Sequence, residues 1–308
     1  MLVATSVLPF DALRSAFGER LRERVPLARY TSARLGGKAD AFITARTVAE
    51  LAEAAQTLWV MDVPFIVLGG GSNVLISDAG VHQVVILNEA SRVRLMEEDP
   101  PSVWAESGAG LGAIARQAVN KGLSGLEWAA GIPGTLGGAV VGNAGAHGSD
   151  LSMALELAEI LHRTEGKKEW FAADLAYGYR DSWLKNHKHE AVVLSARLKL
   201  SKKPVSEIRA QMDTFVAYRR LTQPPGASMG SMFKNPPGES AGRLIEAAGL
   251  KGKRIGNAQI SPLHANFFLN LGDARAADVK ALIEEARQAV REQSGVELEL
   301  EIGLVGEW

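Results

Sequence analysis

The sequence predicts an α+β protein made of two small halves followed by a third compact unit. Short apolar runs of strand length, amphipathic stretches of helical period between them, and a high density of mid-chain glycine carry this reading. Twelve of the 41 residues from Gly108 to Gly148 are glycine, against about 7% on average. Glycine weakens helices and strands, so such density marks backbone that turns tightly or approaches something closely.

Thr47-Val-Ala-Glu50 is a capping box opening an amphipathic helix through about Trp59, and Phe65-Ile66-Val67-Leu68 reads as a short buried strand. Further strands are expected over 84–87, 103–107 and 192–200, with a helix over 111–120 that Gly122 ends. Ser206 reads as the cap of a helix reaching roughly Arg219, which Gln223-Pro224-Pro225-Gly226 breaks. Beyond it lie a helix over 241–248 stopped by Gly249, a strand over 267–269 and a helix over 277–294. That last helix carries Val279, Leu282, Ile283, Ala286 and Val290 on one face. A final strand over 296–302 completes the third unit, and the pattern divides the chain at 1–95, 96–200 and 201–308.

At 308 residues, 46% hydrophobic and 22% charged, the composition is that of an ordinary globular protein. A net charge of -1 supplies no global field for polyanions, so nucleic acid is not an expected partner. The absence of cysteine excludes disulfides, thiolate metal sites and a cysteine nucleophile, and fits a reducing cytosol. Residues 1–9 form an apolar patch without a basic flank or a signal-length core, so a cytoplasmic protein is expected. Residues 128–149 run without a formal charge, but seven glycines, Pro133 and Asn143 would strand backbone amides in lipid, so no membrane span is expected.

Gly69-Gly70-Gly71-Ser72-Asn73 comes directly after a buried strand, and its side-chain-poor N–H groups can converge on phosphate oxygens. By itself the pentapeptide reads equally as a plain glycine turn. It lacks the Gly-Lys-Ser/Thr ending of a nucleoside triphosphate loop. Gly108-Ala-Gly110-Leu-Gly112-Ala113 imitates a dinucleotide fingerprint between strand and helix. No β-branched run comes after it to supply the second parallel strand, and the fingerprint is rejected.

The most specific stretch is Gly131-Ile132-Pro133-Gly134-Thr135-Leu-Gly137-Gly138-Ala-Val-Val-Gly142-Asn143-Ala144-Gly145-Ala146. Together with Gly69 to Asn73 it resembles the FAD-binding loops of the UDP-N-acetylenolpyruvoylglucosamine reductase family, within the vanillyl-alcohol-oxidase-like FAD fold. Arg34-Leu-Gly36-Gly37-Lys-Ala-Asp40 resembles that family's N-terminal signature, and the likeness runs over nearly the whole chain.

The resemblance implies a two-part FAD-binding domain and a smaller α+β substrate domain. It also implies FAD held non-covalently, NADPH as hydride donor, and reduction of the enolpyruvyl group of a UDP-sugar in peptidoglycan precursor synthesis. The cofactor set is Gly69, Gly70, Gly71, Ser72, Asn73, Gly131, Ile132, Pro133, Gly134, Thr135, Gly137, Gly138, Asn143, Ala144 and Gly145. A monomer is expected. Another FAD oxidoreductase of this fold and a non-catalytic flavin-binding protein are the alternatives.

Three dispersed elements resemble the family's catalytic positions: Tyr177-Gly-Tyr179-Arg180-Asp-Ser182, Gly230-Ser231-Met-Phe-Lys234-Asn235-Pro236, and Leu298-Glu299-Leu-Glu301-Ile302. Singly these read as a packed surface, a proline-terminated turn and a solvated strand face; jointly, in family order, they imply catalytic Arg180, Ser231 and Glu301. Tyr179, Lys234, Asn235 and Gln259 are the implied substrate contacts, with Arg219 or Arg220 nearby. Hydride added to the terminal enolpyruvyl carbon creates an enolate-like dianion, which needs a fixed cation such as Arg180. Ser231 is the implied general acid, and Glu301 helps only if protonated or held by a partner. His187-Lys-His189 lacks the carboxylates or thiolates of a metal site and reads as a solvated loop, and His264 reads as structural.

Overall fold

The computed structural model describes residues 8–308, so the apolar N-terminal patch lies, through residue 7, outside the described residues. The chain forms two compact units. One comprises the described residues through Arg22 with Ala41–Gly70 and Gln83–Tyr218; the other comprises Glu23–Asp40, Gly71–His82 and Arg219–Trp308.

Capping sets the helix Val48–Val60 as the sequence predicts. The Thr47 hydroxyl accepts from Glu50 N at 3.2 Å, and the Glu50 carboxylate reaches back to Arg46 N at 2.7 Å. Its inner face, Leu51, Ala54, Ala55 and Leu58, shares a core with Phe65, Val84 and Ile86. In the sheet there, Phe65–Leu68 runs parallel to Val81–Asn88, with Phe65 opposite Val84.

A second sheet in the same unit has the order Gly166–Phe171, Leu155–His162, Ala191–Lys199, Ser102–Glu106, Val93–Met96, antiparallel throughout. Helices Leu111–Asn120 and Leu136–Gly142 contribute Ile114, Ala118, Leu136 and Val140 to its core. After Leu111–Asn120 the chain enters Leu123–Ser124, which pairs antiparallel with Ser201–Lys202. The strand before that helix has only antiparallel neighbours, so Gly108 to Ala113 lies outside any parallel βαβ unit, as its sequence context indicates.

The second unit carries a four-stranded antiparallel sheet, ordered Ala227–Ser231, Phe267–Asn270, Ala258–Ile260, Arg254–Ile255. Helices Ala241–Ala247 and Ala276–Ser294 join it in one core, the latter through Val279, Leu282, Ile283, Ala286 and Val290, as its periodicity predicts. The Asp78 carboxylate accepts from Ala276 N and Ala277 N at 2.9 Å each, an anion on the helix's N-terminal amides.

Two expectations are corrected. Ser206 is not a cap: the helix spans Val205–Thr222, and Pro204, without an N–H and with φ preset for a helix, supplies the carbonyl that Glu207 N and Ile208 N bond. The segment 296–302 is not a continuous strand. It makes one bridge, Leu300 to Phe233, and the next strand is Gly303–Val305, parallel to Val74–Ile76. Leu298 and Ile302 are buried as their alternation predicts, but the backbone between them bonds a loop instead of a ladder.

Candidate active site

In the first unit, the two glycine loops meet where side chains would collide. A Cβ on Gly69 would stand 2.4 Å from Thr135 Oγ1, and one on Gly70 would stand 3.2 Å from Gly134 Cα. Glycine is needed there for close approach, not only for turning. Thr135 cannot withdraw freely, because its hydroxyl caps the helix Leu136–Gly142 by accepting from Gly138 N.

The Gly108 to Gly112 turn seats this loop. Leu136 N bonds Ala109 O at 2.8 Å, Gly137 N bonds Ser107 O at 2.7 Å, and Leu111 N bonds Gly134 O at 3.1 Å. A Cβ on Gly112 would approach Ala130 O to 2.9 Å. Of the fingerprint-like glycines, Gly108 and Gly112 are therefore packing glycines, a Cβ on Gly108 standing 2.6 Å from Ala90 O. Gly131, Ile132 and Pro133 form the approach to this seat, with Ile132 N bonding Ala129 O at 3.0 Å.

Neither 69–73 nor 131–145 contains a charged residue. A diphosphate held by them would be met by peptide N–H groups, which the side-chain-poor backbone around Gly69, Gly70 and Gly134 fits.

The helix Leu136–Gly142 ends at Asn143, which is left-handed at φ 44° and buried. Helix C-termini leave carbonyls without intrahelical donors, and the Tyr177 to Ser182 segment supplies donors here. Tyr177 Oη donates to Val140 O at 2.9 Å and Ser182 Oγ to Val141 O at 2.6 Å. Arg180 donates to Asn143 O at 3.4 Å through Nη1 and to Gly145 O at 2.5 Å through Nη2. Asn143 Nδ2 returns a bond to Gly178 O at 3.0 Å and also reaches Asp150, while its Oδ1 accepts from Ser152 N. The side chain of Asn143 therefore fixes the loop from within, and Ala144 N closes on Ala139 O at 3.0 Å. Burial raises the Tyr177 phenol well above its ordinary value, which keeps it a neutral donor. Tyr179 is 55% exposed, with the Arg180 guanidinium 5.5 Å from its ring centroid.

In the second unit, Gly71 is left-handed at φ 57°, and a Cβ there would stand 2.1 Å from Tyr30 O. Ser32 N bonds Gly71 O at 3.0 Å. Two residues on, past Ser72, Asn73 holds the C-terminal segment: its Nδ2 donates to Glu301 O at 3.2 Å, and its O accepts from Gly303 N at 2.9 Å.

Ser231 ends a strand with one extra residue. Ser228 faces Leu269 and Ser231 faces Phe267, a bulge containing Gly230 at φ 80°. Asn266, 3% exposed, clamps the next two residues: Met232 N bonds its O, Phe233 N its Oδ1, and its Nδ2 bonds Phe233 O, at 2.8 to 2.9 Å. Segments 232–234 and 299–301 are then tied by Glu301 N to Met232 O at 2.9 Å and Lys234 N to Glu299 O at 2.8 Å. This brings the backbone of Ser231, Lys234 and Glu301 into one cluster.

Lys234 Nζ pairs with the exposed Glu299 at 2.6 Å. Asn235 Oδ1 accepts from Ala241 N, and Gln259 Nε2 donates to Gly252 O, so both have structural bonds within this unit. Arg219 is half-buried and Arg220 exposed.

Burial lowers the proton affinity of His264, and its Nδ1 accepts from Asn266 N at 3.2 Å. His187 stacks on Trp183 with ring centroids 4.0 Å apart. Among the described residues no group of His, Asp and Glu could hold a metal ion, and no helix is long and apolar enough to cross a membrane. Lys185 and Asn266 are supporting residues that motif reading passes over, and Ser182, quoted in the Tyr177 to Ser182 motif, gains its supporting role only from the structure.

A family model described as an FAD binding domain matches residues 39–162, and one described as UDP-N-acetylenolpyruvoylglucosamine reductase, C-terminal domain, matches 221–305. The UDP-N-acetylenolpyruvoylglucosamine reductase of Chloroflexus aggregans is 42% identical over 289 residues, covering 92% of this chain and 97% of its own length. That of Listeria monocytogenes serovar 1/2a is 40% identical, covering 92% and 94%. The solved structure of the enzyme from Thermus caldophilus superposes with a TM-score of 0.78 at 39% identity, covering 93% of this chain and all of that one. With an FAD-binding domain, an α+β architecture and relatives of this similarity along nearly its full length, the chain belongs to the UDP-N-acetylenolpyruvoylglucosamine reductase family.

Proposed function

We propose that the chain reduces the enolpyruvyl group of UDP-N-acetylglucosamine enolpyruvate to give UDP-N-acetylmuramate, with NADPH as the source of hydride. One observation carries the assignment of roles. In each unit a candidate catalytic residue is fastened to a candidate flavin loop, Arg180 to Gly145 O and Glu301, through its carbonyl, to Asn73. FAD, when bound, would supply the hydride-transfer chemistry between NADPH and the enolpyruvyl group. Gly69 to Asn73 and Gly131 to Gly145 would hold its diphosphate through backbone N–H groups.

The remaining chemistry falls to side chains. Charge developing on the substrate carboxylate is met by the Arg180 guanidinium, whose orientation is already fixed by two carbonyls. Ser231, turned by its bulge, gives its hydroxyl proton to the carbon beside the carboxylate; solvent restores that proton after product leaves. Glu301 acts as a protonated or partnered acid beside the same charge. Lys234, Asn235, Gln259 and Tyr179 contact the UDP-sugar.

The reading includes a cytoplasmic monomer that takes no nucleic acid and no membrane as partner. It also includes a three-part organisation at 1–95, 96–200 and 201–308. The test is NADPH oxidation by purified protein with and without the enolpyruvyl substrate, with product identified by mass. Substrate-dependent oxidation supports the assignment; flavin reduction with no turnover of this substrate favours a different FAD oxidoreductase of the same fold.

A further inference from the structure

Arg180 sits in the left-handed region at φ 55°, although it is neither glycine nor asparagine. Such a backbone is strained in a residue with a Cβ and persists only where the surroundings hold it. The holding groups are identifiable. Ser182, 1% exposed, anchors the segment to Val141 O and caps the next turn by accepting from Lys185 N at 3.2 Å. That turn, Trp183–Asn186, directs Lys185 back, and its Nζ donates to the carbonyl oxygen of Arg180 at 2.7 Å. A charge-assisted bond on a strained peptide stabilises that conformer over the relaxed one. Relaxing φ at this residue would swing the guanidinium away from Gly145 O and Asn143 O.

We propose that Lys185 is a positioning residue: it touches neither substrate nor flavin and holds Arg180 in the strained conformer from which the guanidinium meets the substrate carboxylate. This rests on the role given to Arg180 under Proposed function. Ser182 supports it by fixing the turn on which Lys185 stands.

The test compares holoenzymes of wild type, Lys185→Met, Lys185→Arg and Ser182→Ala in separated half-reactions, together with a crystal structure of Lys185→Met. Loss of a hydrogen bond from a charged donor predicts roughly tenfold or greater slowing of flavin reoxidation by UDP-N-acetylglucosamine enolpyruvate. Flavin content, the NADPH half-reaction and KM for the UDP-sugar should stay near wild type, and Lys185→Arg should recover most of the rate. Should Lys185→Met fail to accumulate, Ser182→Ala in the same assays decides by the same split.

Wild-type reoxidation rates in the variants, or equal slowing of both half-reactions, would overturn the proposal. The crystal structure separates it from the reading it rests on. Arg180 leaving the left-handed region supports the proposal even if wild type fails to turn over this substrate, and Arg180 unchanged at positive φ with its bond to Gly145 O intact refutes it.

Discussion

The Arg180 guanidinium donates to the carbonyl oxygen of Gly145 at 2.5 Å, so the cation proposed to meet substrate charge is built onto the end of a candidate flavin loop. Arg180→Lys keeps the charge and loses the fork that spans Gly145 O and Asn143 O. Product formation should fall roughly 10²–10³-fold, with bleaching of the flavin by NADPH little changed. Stopped-flow measurement of the two half-reactions checks this, and equal loss in both would place Arg180 outside substrate chemistry.

Ser231→Ala should separate the half-reactions further. Proton donation comes after hydride transfer, so NADPH should still reduce the flavin while formation of UDP-N-acetylmuramate nearly stops. Parallel loss of both would remove the general-acid role.

Two glycines in the same loops should respond oppositely to alanine. Gly69→Ala drives a methyl into Thr135 Oγ1, displaces the cap of Leu136–Gly142 and should cost about 1–3 kcal/mol together with most of the bound flavin. Gly142 faces open space at the end of that helix, so Gly142→Ala should be neutral or stabilising by up to about 1 kcal/mol. Urea melts and flavin content measure both, and similar behaviour of the two would contradict the packing role of Gly69.

Burial depresses the folded-state affinity of His264 for protons below the ordinary value of 6.5, and its Nδ1 is engaged as an acceptor. As pH falls below 6.5 the unfolded chain takes up a proton that the folded chain refuses, so stability declines with falling pH until the folded group titrates. Denaturation midpoints above and below pH 6.5 should therefore differ less in His264→Gln than in wild type. Identical differences would mean that this histidine does not titrate differently in the two states.

The legible parts of this protein are those governed by local rules. Thr47 announces its helix because the cap it gives Glu50 N is made within four residues, and the glycine loops stand out because close approach of backbone excludes every other residue type. The same rule explains the false fingerprint at Gly108 to Gly112, since glycine is equally necessary where backbone packs on Ala130 and where it packs on a ligand. Ser206 misleads because Pro204, two residues earlier, starts the helix by a different mechanism. The 296–302 alternation gives the buried face correctly and the pairing wrongly, because the partner backbone at 232–234 is a clamped loop set by Asn266, far away in sequence. Lys185 and Asn266 leave no periodic signal, since each acts through bonds to particular backbone groups: Lys185 to the carbonyl five residues before it, and Asn266 to an amide and a carbonyl more than thirty residues away.

The most direct measurement is a single turnover without oxygen: NADPH-reduced protein mixed with UDP-N-acetylglucosamine enolpyruvate. The yellow flavin spectrum should return as UDP-N-acetylmuramate appears in an amount equal to the flavin. Protein that purifies without flavin and cannot be reconstituted, or reduced flavin that the substrate leaves unoxidised, would contradict the assignment.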